Sequence, residues 1–145
     1  AYGRVPIEVG REDENPVEID VTWGDPTGQV NPRYRHYNRD AIENWTQEGD
    51  AVRWKIDVLR PGRYEVAFSY GCAPADAGAR LEVRAGDARF EATITSTGGR
   101  MIWMDRTMGV LDLAAGPAVL EIVARRIPGR EATVLHRIWL RYIGE

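Results

Sequence analysis

Six consecutive residues, Tyr34-Arg35-His36-Tyr37-Asn38-Arg39, set two phenol rings among two guanidiniums, two further polar heads and little else. Rings of this kind cover flat apolar surfaces, while the carboxamide, imidazole and guanidiniums hold hydroxyl or anionic groups around them. The combination suits a polyhydroxylated ring, whose C–H faces stack on an aromatic plane and whose hydroxyls need fixed partners. The same residues also suit a structural use, in which the tyrosines anchor a long loop to a sheet. Trp103, in Gly99-Arg100-Met101-Ile102-Trp103, follows a double-glycine turn and is the second ring candidate. Met101 shares its strand face, so burial competes with ligand contact there. Trp54 alternates with core positions and Trp45 precedes a strand, so both read as core, whereas Trp23 fits either use.

Constellations that could carry catalysis are missing. Glu12, Asp13 and Glu14 form a solvated turn, and Glu65, Glu82 and Glu91 fall on outward strand positions, not across a cleft as a glycosidase pair requires. His36 and His136 are the only histidines, which leaves no Ser-His-Asp triad or zinc set. Cys72-Ala73-Pro74-Ala75-Asp76 begins like the Cys-x-Pro-x-Arg motif of sulfatases but ends in Asp76, without the essential arginine. The expectation is a protein that is not an enzyme. Cys72 has no partner for a disulfide and, at the end of an apolar stretch, reads as a small buried residue.

Composition narrows the partners. The chain has 145 residues, 43% apolar and 28% charged, enough for one domain with a two-layer core. No apolar run approaches the roughly 18–20 residues that cross a bilayer, so no membrane partner is expected. A formal net charge of -3 argues against nucleic acid, whose binding rests on phosphate neutralisation. The 18 arginines against one lysine, Lys55, are unusual. Guanidinium forks match carboxylated or sulfated glycans, and GC-rich codon usage produces the same bias. The opening AYGRVPIEVG has neither the apolar core nor the cleavage pattern of a signal peptide, which fits a piece of a longer exported chain, secreted or periplasmic.

The elements that must position the candidate residues follow a period of two. Val52, Trp54, Ile56 and Val58 alternate with Arg53, Lys55 and Asp57; Tyr64, Val66, Phe68 and Tyr70 repeat the pattern over 63–70. Residues 80–85, 89–94 and 120–124 do the same, with turn signals such as Pro61-Gly62, Gly86-Asp87, Gly116-Pro117 and Pro128-Gly129 between them. Each run has one apolar and one solvated face, which predicts an all-β, antiparallel two-sheet β-sandwich. The last run, VLHRIWLRYI, is apolar on both faces, with Val134, Ile138, Leu140 and Tyr142 on one side and Leu135, Trp139 and Ile143 on the other. Residues 24–50 lose the alternation and read as long irregular loops, with one short helical segment at most over 39–47.

The stretch GDAVRWKIDVLRPGRYEVAFSYGCAPADAGARLEV closely resembles a pattern, D-x-V-x-W-x-V-x-V-x-x-P-G-x-Y-E-V, of β-sandwich modules at the C-terminal ends of bacterial sulfatases and glycosidases. MGVLDLAAGPAVLEIVA and the closing LHRIWL match the same modules, and VPIEVGREDENPVEI resembles the segment leading into them. The modules are similar to carbohydrate-binding-module families 6 and 35, with a galactose-binding-like jelly roll. The resemblance implies residues 1–16 as a lead-in linker packing on the domain and 17–145 as the module. It implies polysaccharide or oligosaccharide as partner and a parent catalytic domain in the same longer protein. A structural calcium (Ca2+) is implied near Glu18-Ile19-Asp20, where the families carry Glu-x-Glu. Their closing Asn-x-Asp falls on Val134 and His136, so a sugar-binding amide and an oxygen ligand are replaced. The sugar site is therefore expected at Tyr34, Arg35, His36, Tyr37, Asn38, Arg39 and Trp103. The competing expectation is an accessory domain that packs on the catalytic domain through Leu135 and Trp139 and binds no sugar.

Overall fold

Runs that alternate apolar and charged residues become strands because each can bury one face and solvate the other. The computed structural model describes residues 5–28, 30–36 and 39–145, with 31–36, 39 and 40 described by their backbone. Twelve strands are present among these residues: β1 Ile7–Val9, β2 Val17–Ile19, β3 Asp25–Pro26, β4 Asn31–His36, β5 Arg39–Glu43, β6 Ala51–Val58, β7 Gly62–Cys72, β8 Arg80–Ala85, β9 Ala88–Thr93, β10 Gly99–Leu113, β11 Gly116–Arg126 and β12 Val134–Gly144. They form two sheets. Sheet A runs β1-β6-β11-β8-β9, with β3 also on β6; sheet B runs β10-β7-β12-β5-β4, with β2 also on β12. The pairing is antiparallel except between β1 and β6. The fold is the expected all-β sandwich.

The core fills the space between the sheets. Trp54, Ile56, Leu81, Leu120 and Ile122 of sheet A meet Tyr64, Phe68, Tyr70, Ile138 and Leu140 of sheet B, all fully buried or nearly so. Trp45 is fully buried as well, and its indole N–H donates to the Asp50 carbonyl at 2.9 Å. The Trp54 indole donates to the Asp20 carbonyl at 2.9 Å. Both tryptophans thus pack their rings while keeping their one donor satisfied, as burial of such a ring requires. Trp23 sits in a 3-10 turn, Val21–Trp23, half-buried against the core and not at the end of a strand.

Two expectations change. Residues 39–47 hold no helix: Arg39–Glu43 is a strand paired with Asn31–His36 in an antiparallel hairpin, with Tyr34 opposite Ala41 and His36 opposite Arg39. Ala41 and Ile42 are adjacent and both buried, so the strand does not alternate and its period is hidden. The second change concerns β12. Leu135 pairs with Tyr70 and Arg137 with Ser69, so His136 is an extra residue in a β-bulge. The bulge reverses the facing of what precedes it, and Leu135 joins Ile138 and Leu140 in the core, fully buried.

Described residues ahead of Val17 also touch both sheets. β1 adds a parallel edge to sheet A, and Asn15 closes a gap beside β12: its Nδ2 donates to the Tyr142 carbonyl at 3.1 Å while its Oδ1 accepts from the Tyr142 N–H at 2.9 Å. The bulge at His136 generates a test. Leu135→Ala is expected to cost about 2–5 kcal/mol in urea unfolding, the loss for a buried leucine. An outward Leu135 would cost less than about 0.5 kcal/mol.

Candidate functional site

Trp103 on β10 and the backbone of Tyr34–His36 and Arg39 on β4 and β5 belong to one sheet, B. Reading across it, β10 pairs with β7, β7 with β12, β12 with β5 through Leu135 and Ile42, and β5 with β4. Both β10 and β12 leave the regular ladder here. Gly99 pairs with Cys72, but the next paired residue of β10 is Met104, opposite Tyr70, so Arg100–Trp103 bulge out of register. His136 bulges from β12 at the same level. The two bulges face each other over β7, and Trp103 stacks on His136 with ring centroids 4.5 Å apart and planes within 7°.

A glycine makes this approach possible. A Cβ on Gly71 of β7 would lie 2.1 Å from the Arg100 carbonyl oxygen and 3.2 Å from Cζ3 of Trp103. Only a residue with no side chain lets the β10 bulge fold over the intervening strand. The Gly71 carbonyl accepts from the Thr133 hydroxyl at 2.9 Å, and the Thr97 hydroxyl accepts from the Cys72 N–H at 3.0 Å. These bonds fix the floor under the ring pair. Trp103 and His136 are half-buried, and neither belongs to the core.

The same β10 bulge carries a partly buried ion cluster. Arg100 donates through Nε to Glu131 Oε2 at 2.7 Å and through Nη2 to Glu131 Oε1 at 3.2 Å and Glu43 Oε1 at 2.7 Å. The side chain of Glu131 is 5% exposed and that of Glu43 13%. The fork-on-carboxylate geometry joins the β10 bulge, the end of β5 and the segment before β12. Hydrogen bonding to Glu131 raises the Arg100 guanidinium above its ordinary range, with a further contribution from Glu43. Cys72 nearby is buried, and desolvation pushes its thiol up.

The structure places the sequence candidates as follows. Trp103 stands at the rim, beside His136, which in sequence marks only the place of a replaced oxygen ligand. The backbone of Tyr34, Arg35 and His36 lies on β4, two strands from β12, and that of Arg39 on β5, the strand next to β12. Tyr37 and Asn38 lie outside the described residues. Gly71, Arg100, Glu43 and Glu131 were missed. The double glycine before Arg100 was the one local signal of irregularity, and nothing in sequence joined Arg100 to Glu131.

Glu18 and Asp20 do not fit a calcium ion. Arg137 Nη1 donates to both oxygens of Glu18 at 3.0 and 3.2 Å, and Asp20 Oδ1 accepts from the Thr22 N–H at 2.9 Å and hydroxyl at 2.6 Å. Calcium takes six to eight oxygens. Among the described residues no group of three or more His, Cys, Asp and Glu side chains is gathered to hold a metal. Val134, at the expected ligand strand, is fully buried.

Further depressions lie elsewhere on the described surface. A shallow cleft of about 400 Å³ on the outer face of sheet B is lined by Trp139, Pro16, Asp105, Arg106 and Arg141. A cavity of about 630 Å³ at the opposite end of the sandwich is lined by turn and strand-end residues including Gly62, Gly86, Asp112 and Pro117, without an aromatic ring.

Solved structures share this fold. A family 35 carbohydrate-binding module from Clostridium thermocellum aligns with a TM-score of 0.72 at 13% identity, over 90% of this chain and 100% of that one. A carbohydrate-binding module from a Cellvibrio mixtus lichenase, in complex with cellotriose, aligns at 0.70 and 14%, over 90% and 99%. A family 35 module in complex with a glucuronic acid-containing disaccharide aligns at 0.66 and 15%, over 92% and 91%. The similarity to families 6 and 35 holds at the level of fold. No family model matches the sequence, and no curated protein matches it.

Two outcomes follow from the site. Arg100→Gln should lower stability by about 3–5 kcal/mol, because Glu131 and Glu43 lose their cation in a buried setting. Its tryptophan fluorescence should shift as the bulge carrying Trp103 loosens. Calcium and a chelator should give the same thermal midpoint, since Glu18 and Asp20 are already committed; a calcium-dependent rise would reverse that conclusion.

Proposed function

We propose that the chain is a non-catalytic carbohydrate-binding module, exported as part of a longer protein, that holds an attached sulfatase or glycosidase on a polysaccharide. The observation that carries this reading is the indole of Trp103 at the rim of sheet B, outside the core and beside an imidazole. An aromatic plane held by a rigid floor covers the C–H face of a pyranose without new ordering. Tyr34, Arg35, His36, Tyr37, Asn38 and Arg39, on and around the β4–β5 hairpin, are proposed as the polar and stacking contacts beside it. Modules of this fold that carry cellotriose or a glucuronic acid-containing disaccharide support the ligand class. Acidic or sulfated polysaccharides are favoured by the arginine-rich composition.

The role is attachment. A tethered module raises the concentration of substrate around its enzyme, so weak single-site affinity, on the order of millimolar, suffices. The accessory-domain reading relied on Leu135 and Trp139 forming one outward apolar patch. Leu135 is in the core, so that pair does not form a patch, and Trp139 lines a shallow cleft with Pro16, Ala67 and charged neighbours.

Affinity electrophoresis against neutral, uronate and sulfated polysaccharides tests the proposal. At least one should retard the chain, and Trp103→Ala should abolish the part of that retardation that survives high salt while the unfolding free energy in urea changes by less than about 1 kcal/mol. Retardation by none of them would leave the accessory role as the better account.

A further inference from the structure

The solvent side of sheet A carries an arrangement that the rim does not use. Register puts Arg53 of β6, Glu121 of β11, Arg84 of β8 and Arg89 of β9 in a single row across four strands. Glu82, two residues before Arg84 on β8, faces the same side. Arg53 Nε donates to Glu121 Oε2 at 2.7 Å and Arg84 Nε to Glu121 Oε1 at 2.6 Å. Arg125 Nε donates to Glu82 Oε1 at 3.0 Å, and Arg89 Nη1 to Glu82 Oε2 at 3.5 Å.

The exposures of these groups are opposite. The side chains of Glu82 and Glu121 are 6% and 11% exposed, whereas Arg53, Arg84, Arg125 and Arg89 are 46%, 41%, 43% and 71% exposed. The carboxylates lie beneath and the guanidiniums face water. Four cations stand over two buried anions, and the exposed Asp25 of β3 lies opposite Arg53 in the same row, so the face keeps a surplus of one positive charge on a protein whose net charge is -3. Arg80 and Glu91 form a separate pair at the border, at 2.6 Å, and add nothing to the surplus.

This arrangement persists into acid. The hydrogen bond from Arg125 holds the Glu82 carboxyl below the usual range. For Glu121, burial acts upward, but the hydrogen bonds from Arg53 and Arg84 outweigh it and its value is also lowered. Each guanidinium has five N–H donors and spends only some on its glutamate, so others stay directed outward. The side chains are already ordered, and an arriving anion has less entropy to remove.

We propose that this face is a second binding surface, for a glycan carrying sulfate esters or uronates at regular intervals. Arg53 and Arg84 flank β11 and are two strand spacings apart, about 10 Å, so a repeating anion can meet them in turn. Sulfate and carboxylate both match the guanidinium fork. Single-stranded nucleic acid is the poorer fit, because its binding adds base stacking on rings. The outward positions of β6, β8, β9 and β11 carry none, among the described residues. A protein partner would bury an apolar anchor at its centre, and Val119 is the one exposed large apolar side chain described on these four strands. The surface is separate from the rim and does not depend on the rim binding sugar.

The test uses the full chain in native gels containing dextran sulfate, polygalacturonate, neutral dextran or polyadenylate. Dextran sulfate, polygalacturonate or both should retard it, neutral dextran should not, and added salt should weaken the effect. Retardation by one polyanionic glycan alone assigns the anion as sulfate or carboxylate. The double variant Arg53→Gln/Arg89→Gln leaves Arg84 on Glu121 and Arg125 on Glu82, so both buried carboxylates stay paired. It should lose about tenfold in affinity, or about 1.4 kcal/mol. Trp103→Ala should keep the salt-sensitive retardation within about twofold of the parent, which separates this face from the rim. Unchanged binding by the double variant, retardation by neither polyanionic glycan, or tighter binding to polyadenylate than to either would overturn the proposal.

Discussion

Strand β12 sits in the middle of sheet B, and its backbone must satisfy three neighbours at once. It pairs along its length with β7 on one side and, on the other, with β2 near Ile138–Leu140 and β5 at Leu135. Buried peptide groups without partners are costly, so these pairings leave little freedom in where each neighbour lies. Two of these neighbours flank the His136 bulge, where β7, β12 and β5 stand side by side. The extra residue turns one side chain outward there without breaking the ladder on either side. The core depends on it through Leu135, and the rim depends on it through the imidazole under Trp103.

The fold was legible in sequence where alternation was complete. Val52 to Val58 and Tyr64 to Tyr70 announce strands because each apolar residue is buried and nearly every intervening one is not. Legibility failed where a single residue was inserted or the apolar pair was adjacent. A bulge flips every facing that precedes it, so Leu135 read as outward, and the side-by-side burial of Ala41 and Ile42 hid the hairpin. The site was half legible. A tryptophan after a double glycine was visible, but the absence of a side chain at Gly71, which lets the bulge close over β7, has meaning only once β7 and β10 are neighbours. Arg100, Glu43 and Glu131 are far apart in the chain, and nothing local marks them as one cluster.

Arginine does two different jobs in this molecule. Arg100 is three-tenths exposed, with its fork spent on two carboxylates, and there it acts as a tie between chain segments. On sheet A the carboxylates are the buried partners and the guanidiniums remain in water. A lysine would serve either place less well, because its compact ammonium offers no fixed fork and holds no plane. The near absence of lysine is thus consistent with how the charges are used, whatever set the codon bias.

The order of strands along the chain has a consequence for how the sandwich comes together. Every strand of sheet A lies within residues 7–126, and its pairings can all form once that length is available. Sheet B cannot. Its central strand is β12, and until residues 134–144 arrive β7 lacks a partner on one side, β2 has no strand to join and the β4–β5 hairpin has nothing to dock on. A chain made from its N-terminus onward would hold sheet A ready as a platform, with Phe68 and Tyr70 still awaiting half their cover. The interval before β12 docks is when the apolar interior is most open to misdirected pairing.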